Sequence, residues 1–281
     1  MLSSVFVQRS NNQLRAAAVF SIAVMAAITA ICLAFPLVNI TLPGWLPMVG
    51  RWIPALISLA VIFAFRLPGG VLDWWSLRPG GSRRLISGAL ISVAMLLVIY
   101  ALAAALTATV GAGQLQPGEI LLQILVLVIP SVLISSLSTF GEEVAWRGML
   151  QKALAGWGFW RSSCAIAALW VAFHVPLHGV MAAQGTLPGT VALTSTLVLF
   201  PLGLFLSAVT IRFGSIWPAV FGHGLPLTAL NPLVLGDPPA SSTVWTASAL
   251  SALLLFGDAY FFARGASPAR PSARTPISSA Q

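Results

Sequence analysis

Apolar residues in this 281-residue chain come in long unbroken runs separated by short polar stretches. Eight runs stand out, at 16–37, 46–65, 85–110, 120–141, 162–183, 190–211, 215–231 and 243–263. Most reach the ~20 residues needed to cross a bilayer. In hydrocarbon the backbone N–H and C=O groups have only one another as partners, so each run is expected to be a helix. The pattern therefore predicts an all-α, polytopic transmembrane helical bundle of about eight spans over residues 1–264. The run at 16–37 is longer than the apolar segment of a signal peptide and is expected to stay as the first span. Residues 265–281, rich in Ser, Pro, Ala and Arg, are expected to form a disordered tail.

Composition sharpens this picture. Hydrophobic residues make up 58% of the chain and charged residues only 7%, against about 25% charged in soluble domains. The net charge of +8 forms no basic stripe, so no nucleic-acid partner is expected; the lipid bilayer is the expected partner instead. Counted over alternate loops, 13 of the 14 basic residues fall on one side and only Arg51 on the other. Positive residues collect on the cytoplasmic side, so both termini are expected to be cytoplasmic and the span count even. Cys32 and Cys164 lie inside apolar runs and read as small packing residues.

The candidate chemistry lies in a few polar residues that the apolar runs carry. Two of the six acidic residues are adjacent, Glu142 and Glu143 in FGEEVAWRGML, at the expected cytoplasmic end of the fourth span. Glu143 and Arg147 are four apart, as in a simple helix-end ion pair, but charged groups among apolar helices default to function. All three histidines, His174, His178 and His223, lie in or beside spans. At 1.5 Å per residue, His174 and His223 are expected roughly 18 and 12 Å in from the cytoplasmic face, at depths where they can meet the glutamates. A carboxylate acting with imidazole can activate water against an amide carbonyl. The same groups suit a divalent metal such as zinc, which would lower the pKa of a bound water. His174 and His178 are four apart, but Pro176 between them is expected to break the helical spacing.

These residues resemble three motifs of the CAAX-prenyl-protease and bacteriocin-processing (CPBP or Abi) family of intramembrane proteases. GEEVAWRG resembles the first, a Glu pair with Arg four residues on. LWVAFHVP resembles the second, with Trp170 four before His174, and SIWPAVFGH the third, with His223. The resemblance covers roughly 119–232, which would be the protease-like core. It implies an intramembrane endopeptidase acting on a membrane-associated peptide or protein, with Glu142 and His174 activating the water. Glu143 and Arg147 would orient the site, and His223 would help hold the water or the oxyanion. His178 has no role in the pattern, and Leu227 stands where the family usually has Asn or Asp, with Thr228 and Asn231 as the nearby polar residues. The preponderance of Arg over Lys fits a GC-rich bacterial genome and thus a bacterial cell membrane. Two other readings remain open at this stage: an ion-coupled transporter that relays protons through these groups, and an inactive peptide-binding immunity protein.

Overall fold

The apolar runs fold as helices throughout. A computed structural model describes residues 2–78, 80–225, 233 and 240–264; Leu227, Thr228, Asn231 and the tail at 265–281 lie outside them. In chain order the helices are α1 (Leu2–Leu37), α2 (Leu46–Gly50), α3 (Ile53–Ala64), α4 (Val71–Trp74), α5 (Ser82–Thr109) and α6 (Gly118–Glu143). A π-helical stretch, Val144–Leu150, then leads without a break into α7 (Gln151–Ala153). They are followed by α8 (Phe159–Ala183), α9 (Gly189–Phe213), α10 (Trp217–His223) and α11 (Ser241–Arg264). Among the described residues seven segments are long and apolar enough to span a membrane: Asn11–Leu37, Leu46–Ala64, Ser82–Thr109, Gly118–Ala153, Phe159–Ala183, Gly189–Phe213 and Ser241–Arg264. The outer faces carry large exposed apolar side chains such as Ile22, Leu137 and Phe261, which suits a surface bathed in lipid. Helix α9 is the centre of the bundle, largely buried and packed chiefly between α8 and α11.

Three expectations from the sequence are corrected. The expected span at 215–231 is not a full-length helix among the described residues: α10 has seven residues and covers about 10 Å, too little for a ~30 Å hydrocarbon core. Its packing explains why. Pro218 starts the helix in contact with the site of Gly88, while Gly222 and Gly224 let its backbone close onto Ser92 and Ser136. Trp217 Nε1 donates to Leu77 O at 3.0 Å at one end of the bundle. At the other, Gln116 N donates to Leu233 O at 3.0 Å. Leu77 precedes α5 and Gln116 follows it, so Trp217 and Leu233 are held at opposite ends of that helix.

The second correction concerns depth. The helix that begins at Gly118 does not end beside the glutamates but runs to Ala153 through the π-helical stretch. Glu142 therefore lies about 16 Å from that end along the helix axis, and Glu142 and Glu143 are both 0% exposed. The third concerns Pro176. Helix α8 continues unbroken through it to Ala183, so the 174 and 178 side chains stay on one helical face, with ring centroids 5.5 Å apart.

Glycines set how closely the elements approach. A methyl group on Gly141 would stand 2.5 Å from Arg51 O and 2.9 Å from Trp52 Cα. The α2–α3 junction therefore rests directly on the backbone of α6, where Ser138 Oγ also donates to Met48 O at 2.8 Å. Gly141→Ala should push this junction outward and destabilise the protein by about 1–3 kcal/mol, as overpacking generally does. The check is the melting temperature in detergent; an unchanged value would mean that the junction yields freely.

Candidate active site

The π-helical stretch after Glu143 is wholly buried, and π turns inserted in α-helices recur at functional sites. It carries Arg147, which points back at Glu143, so that Arg147 Nη1 donates to Glu143 Oε1 at 3.0 Å. His223 Nδ1 donates to the same oxygen at 2.8 Å. Arg147 Nη2 reaches Gly203 O on α9 at 3.4 Å, and the guanidinium lies 4.3 Å from the centre of the Trp170 ring. Glycine at 203 is what admits it, because a Cβ there would stand 3.1 Å from Arg147 Nη2 and 3.0 Å from Ala167 Cβ. One buried carboxylate thus ties together α6, α10, α9 and α8.

Glu142 faces a different set. Trp170 Nε1 donates to its Oε2. Arg51 Nε lies 3.2 Å from its Oε1, close enough for ionic attraction but without the alignment of a hydrogen bond. Oε1 is thus buried with no hydrogen-bond donor. Leaving a buried carboxylate oxygen without a donor is costly, and the position suits a bound water.

The three imidazoles share one arrangement. His174 Nδ1 lies 2.9 Å from Trp170 O, and a carbonyl can only accept, so Nδ1 carries the proton. His178 Nδ1 lies 2.7 Å from Thr196 Oγ1, whose own proton goes to Ala192 O at 2.6 Å; here again Nδ1 donates. His223 Nδ1 donates to Glu143. As neutral rings, all three present Nε2 as an acceptor. The Trp170 ring stands edge-on to His174 and His223, with centroids at 5.4 and 5.0 Å, and holds the two rings apart.

Two cavities meet at this cluster. The smaller, about 80 Å³, is lined by Glu142, His174, His178 and Arg51 among apolar residues from α1 and α2, and has room for more than one water. The larger, about 400 Å³, is lined by His223, Tyr100 and a mainly aliphatic wall that includes Leu96, Met181, Val198 and Leu202. Pro47, Arg51, His174, Leu177 and His178 line both. The residues do not make a metal set: among those described, no three His, Cys, Asp or Glu side chains are disposed to hold an ion.

All five residues singled out from the sequence, Glu142, Glu143, Arg147, His174 and His223, belong to one connected cluster. Arg51 joins it unexpectedly. It is not the stray charge of an outer loop but lies within the Leu46–Ala64 span segment, its side chain 30% exposed and paired with Glu142. The signal was present in the sequence: an arginine five residues into an apolar run is a charge in need of a partner.

Arg147 should matter to stability as much as to rate. Removing one member of a buried charge pair typically costs about 3–5 kcal/mol, and the hydrogen bond from His223 to Glu143 offsets only part of that. Arg147→Ala should lower expression and the melting temperature in detergent. An inactive variant as stable as the wild type would mean that Arg147 acts in the chemistry alone.

Comparison with curated proteins and with solved structures gives no match. Residues 119–226 do match the family described as type II CAAX prenyl endopeptidase Rce1-like, a stretch that runs from the start of α6 past His223 and holds every candidate residue except Arg51. The chain carries a domain of the Rce1-like type II CAAX prenyl endopeptidase family, a family of proteases, within a multi-pass helical membrane protein.

Proposed function

We propose that the protein is an intramembrane endopeptidase that hydrolyses a peptide bond of a membrane-delivered peptide or protein with a water activated by Glu142 and His174. The observation that carries this reading is the bare Oε1 of Glu142, buried and without a donor, on a cavity it shares with His174. A water held there gives up a proton to the Glu142–His174 pair as its oxygen adds to the carbonyl carbon. The carbonyl π pair moves onto oxygen to give a tetrahedral oxyanion. When that collapses, the C–N bond breaks and the stored proton passes to the leaving amine. Glu143 stays out of this exchange; neither cavity is lined by it, and its part is to hold Arg147 and His223 in place. The aliphatic wall of the larger cavity suits apolar side chains of the substrate.

We further propose that both termini are cytoplasmic in a bacterial cell membrane. Contacts at one end of the bundle support this, since Asn12 Nδ2 donates to Phe65 O at 3.1 Å and Trp160 packs against Tyr260 near the end of α11. That end also carries the basic turns, where Arg84 Nη2 donates to Arg212 O at 2.9 Å.

Two experiments bear on these readings. Groups that act as a unit are non-additive, so Glu142→Gln, His174→Ala and the double variant should all fall close to background in cleavage of a membrane-embedded peptide library by proteoliposomes. Full activity in Glu142→Gln would sink the mechanism. For topology, a cysteine placed at Gly265 should react with an impermeant maleimide only after cells are permeabilised; labelling of intact cells would reverse the orientation.

A further inference from the structure

A hydrolytic site needs a hydrogen-bond donor for the oxyanion, and the imidazoles here do not offer one. With Nδ1–H committed to Trp170 O, Thr196 Oγ1 and Glu143 respectively, His174, His178 and His223 turn bare Nε2 lone pairs toward the cavities. His174 gains an Nε2 proton only by taking it from the water, and that proton is destined for the leaving amine. Water bound at Glu142 occupies the smaller cavity and the peptide the larger, so the scissile carbonyl belongs where the two meet. The polar side chains lining both cavities are Arg51, His174 and His178. Of these, Arg51 alone is a permanent donor. Its Nε faces Glu142 at 3.2 Å, and its Nη1 and Nη2 groups make no hydrogen bond among the described residues.

We infer that Arg51, from the α2–α3 junction, is the electrophilic residue of the site, with its guanidinium fork donating to the oxyanion as water adds to the carbonyl. This rests on the protease reading above. The geometry gives the residue two linked tasks. In the resting site Nε faces the Glu142 carboxylate. As Glu142 and His174 take up the water's proton, negative charge moves to the carbonyl oxygen, a position the fork can reach from the cavity junction. The cation thus stays close to the negative charge as that charge moves. Gly141 serves the same end, since only a residue without Cβ lets the Arg51 backbone lie so close to α6.

The test uses the full-length protein in proteoliposomes, with a peptidyl phosphonate as a stable anionic mimic of the tetrahedral intermediate and its matched amide as the ground-state control. Arg51→Gln should lower kcat about 100-fold or more, the scale of losing an oxyanion donor, with KM little changed. Wild type should bind the phosphonate at least about 100-fold more tightly than the amide, read by intrinsic tryptophan fluorescence. Glu142→Gln should lose cleavage but keep that preference, whereas the double variant Arg51→Gln/Glu142→Gln should lose both. The double variant also removes the risk that Arg51→Gln fails to fold by stranding a buried carboxylate. A phosphonate preference that survives in the double variant, or is absent from wild type, would overturn the role of Arg51. So would a kcat unchanged in a folded Arg51→Gln. If wild type cleaves nothing, the protease reading falls, and the phosphonate preference still decides whether Arg51 is an anion site.

Discussion

Everything in this bundle is arranged around two carboxylates and a guanidinium held away from bulk water. Glu142, Glu143 and Arg147 are at most 1% exposed, and isolated charges in such surroundings cost far more than a fold can bear. The structure meets the demand by sharing. Glu143 Oε1 takes hydrogen bonds from Arg147 and His223, while Arg147 spreads its remaining contacts over a backbone carbonyl and an indole face. Four helices are fixed relative to one another because each supplies part of that compensation. Buried ion networks are weak evidence for net stability. This one specifies an arrangement.

The two glutamates, adjacent in sequence, each bury one bonded and one bare oxygen, but in different surroundings. Glu143 takes two donors at Oε1 and none at Oε2, and it lines neither cavity. Glu142 has one oxygen secured by Trp170 and the other left bare at a cavity wall. Adjacent positions on a helix are about 100° apart, so one residue can face a packed interface while the next faces a void. A paired-acid motif thereby yields one carboxylate packed into a network and one that opens on a cavity.

Much of this was legible in the sequence, and the parts that were not share a cause. Apolar run length announced the helices, and the rarity of charged residues drew attention to Glu142, Glu143 and Arg147. The helix through Ala153 is not legible because the polar cluster at 142–147 looks like an end when it is in fact a buried interior. Only tertiary partners such as Gly203 O and His223 make it one. Pro176 does not break α8, since a helix packed on several sides tolerates one missing N–H. Helix α10 looks like part of a span in the sequence because its composition is apolar all round. What shortens it is glycine and proline packing against Gly88, Ser92 and Ser136, contacts between residues more than 80 positions apart. Charge counting places Arg51 in a loop, although its position within an apolar run argues for the partner it has in Glu142.

The length of the helix that begins at Gly118 has a consequence of its own. At 36 residues it is about 54 Å long, well beyond a ~30 Å hydrocarbon core, so it must tilt or project from the bilayer. Glu142 is therefore at most about 16 Å below the plane of the Ala153 end. The cavities beside Glu142 are lined by the second half of α8, by Leu187 and by the first part of α9, at the end of α8 away from Ala153. The stretch from Val144 to Ala153 therefore closes the cluster from behind, and the open side of the carboxylate faces the opposite end of the bundle.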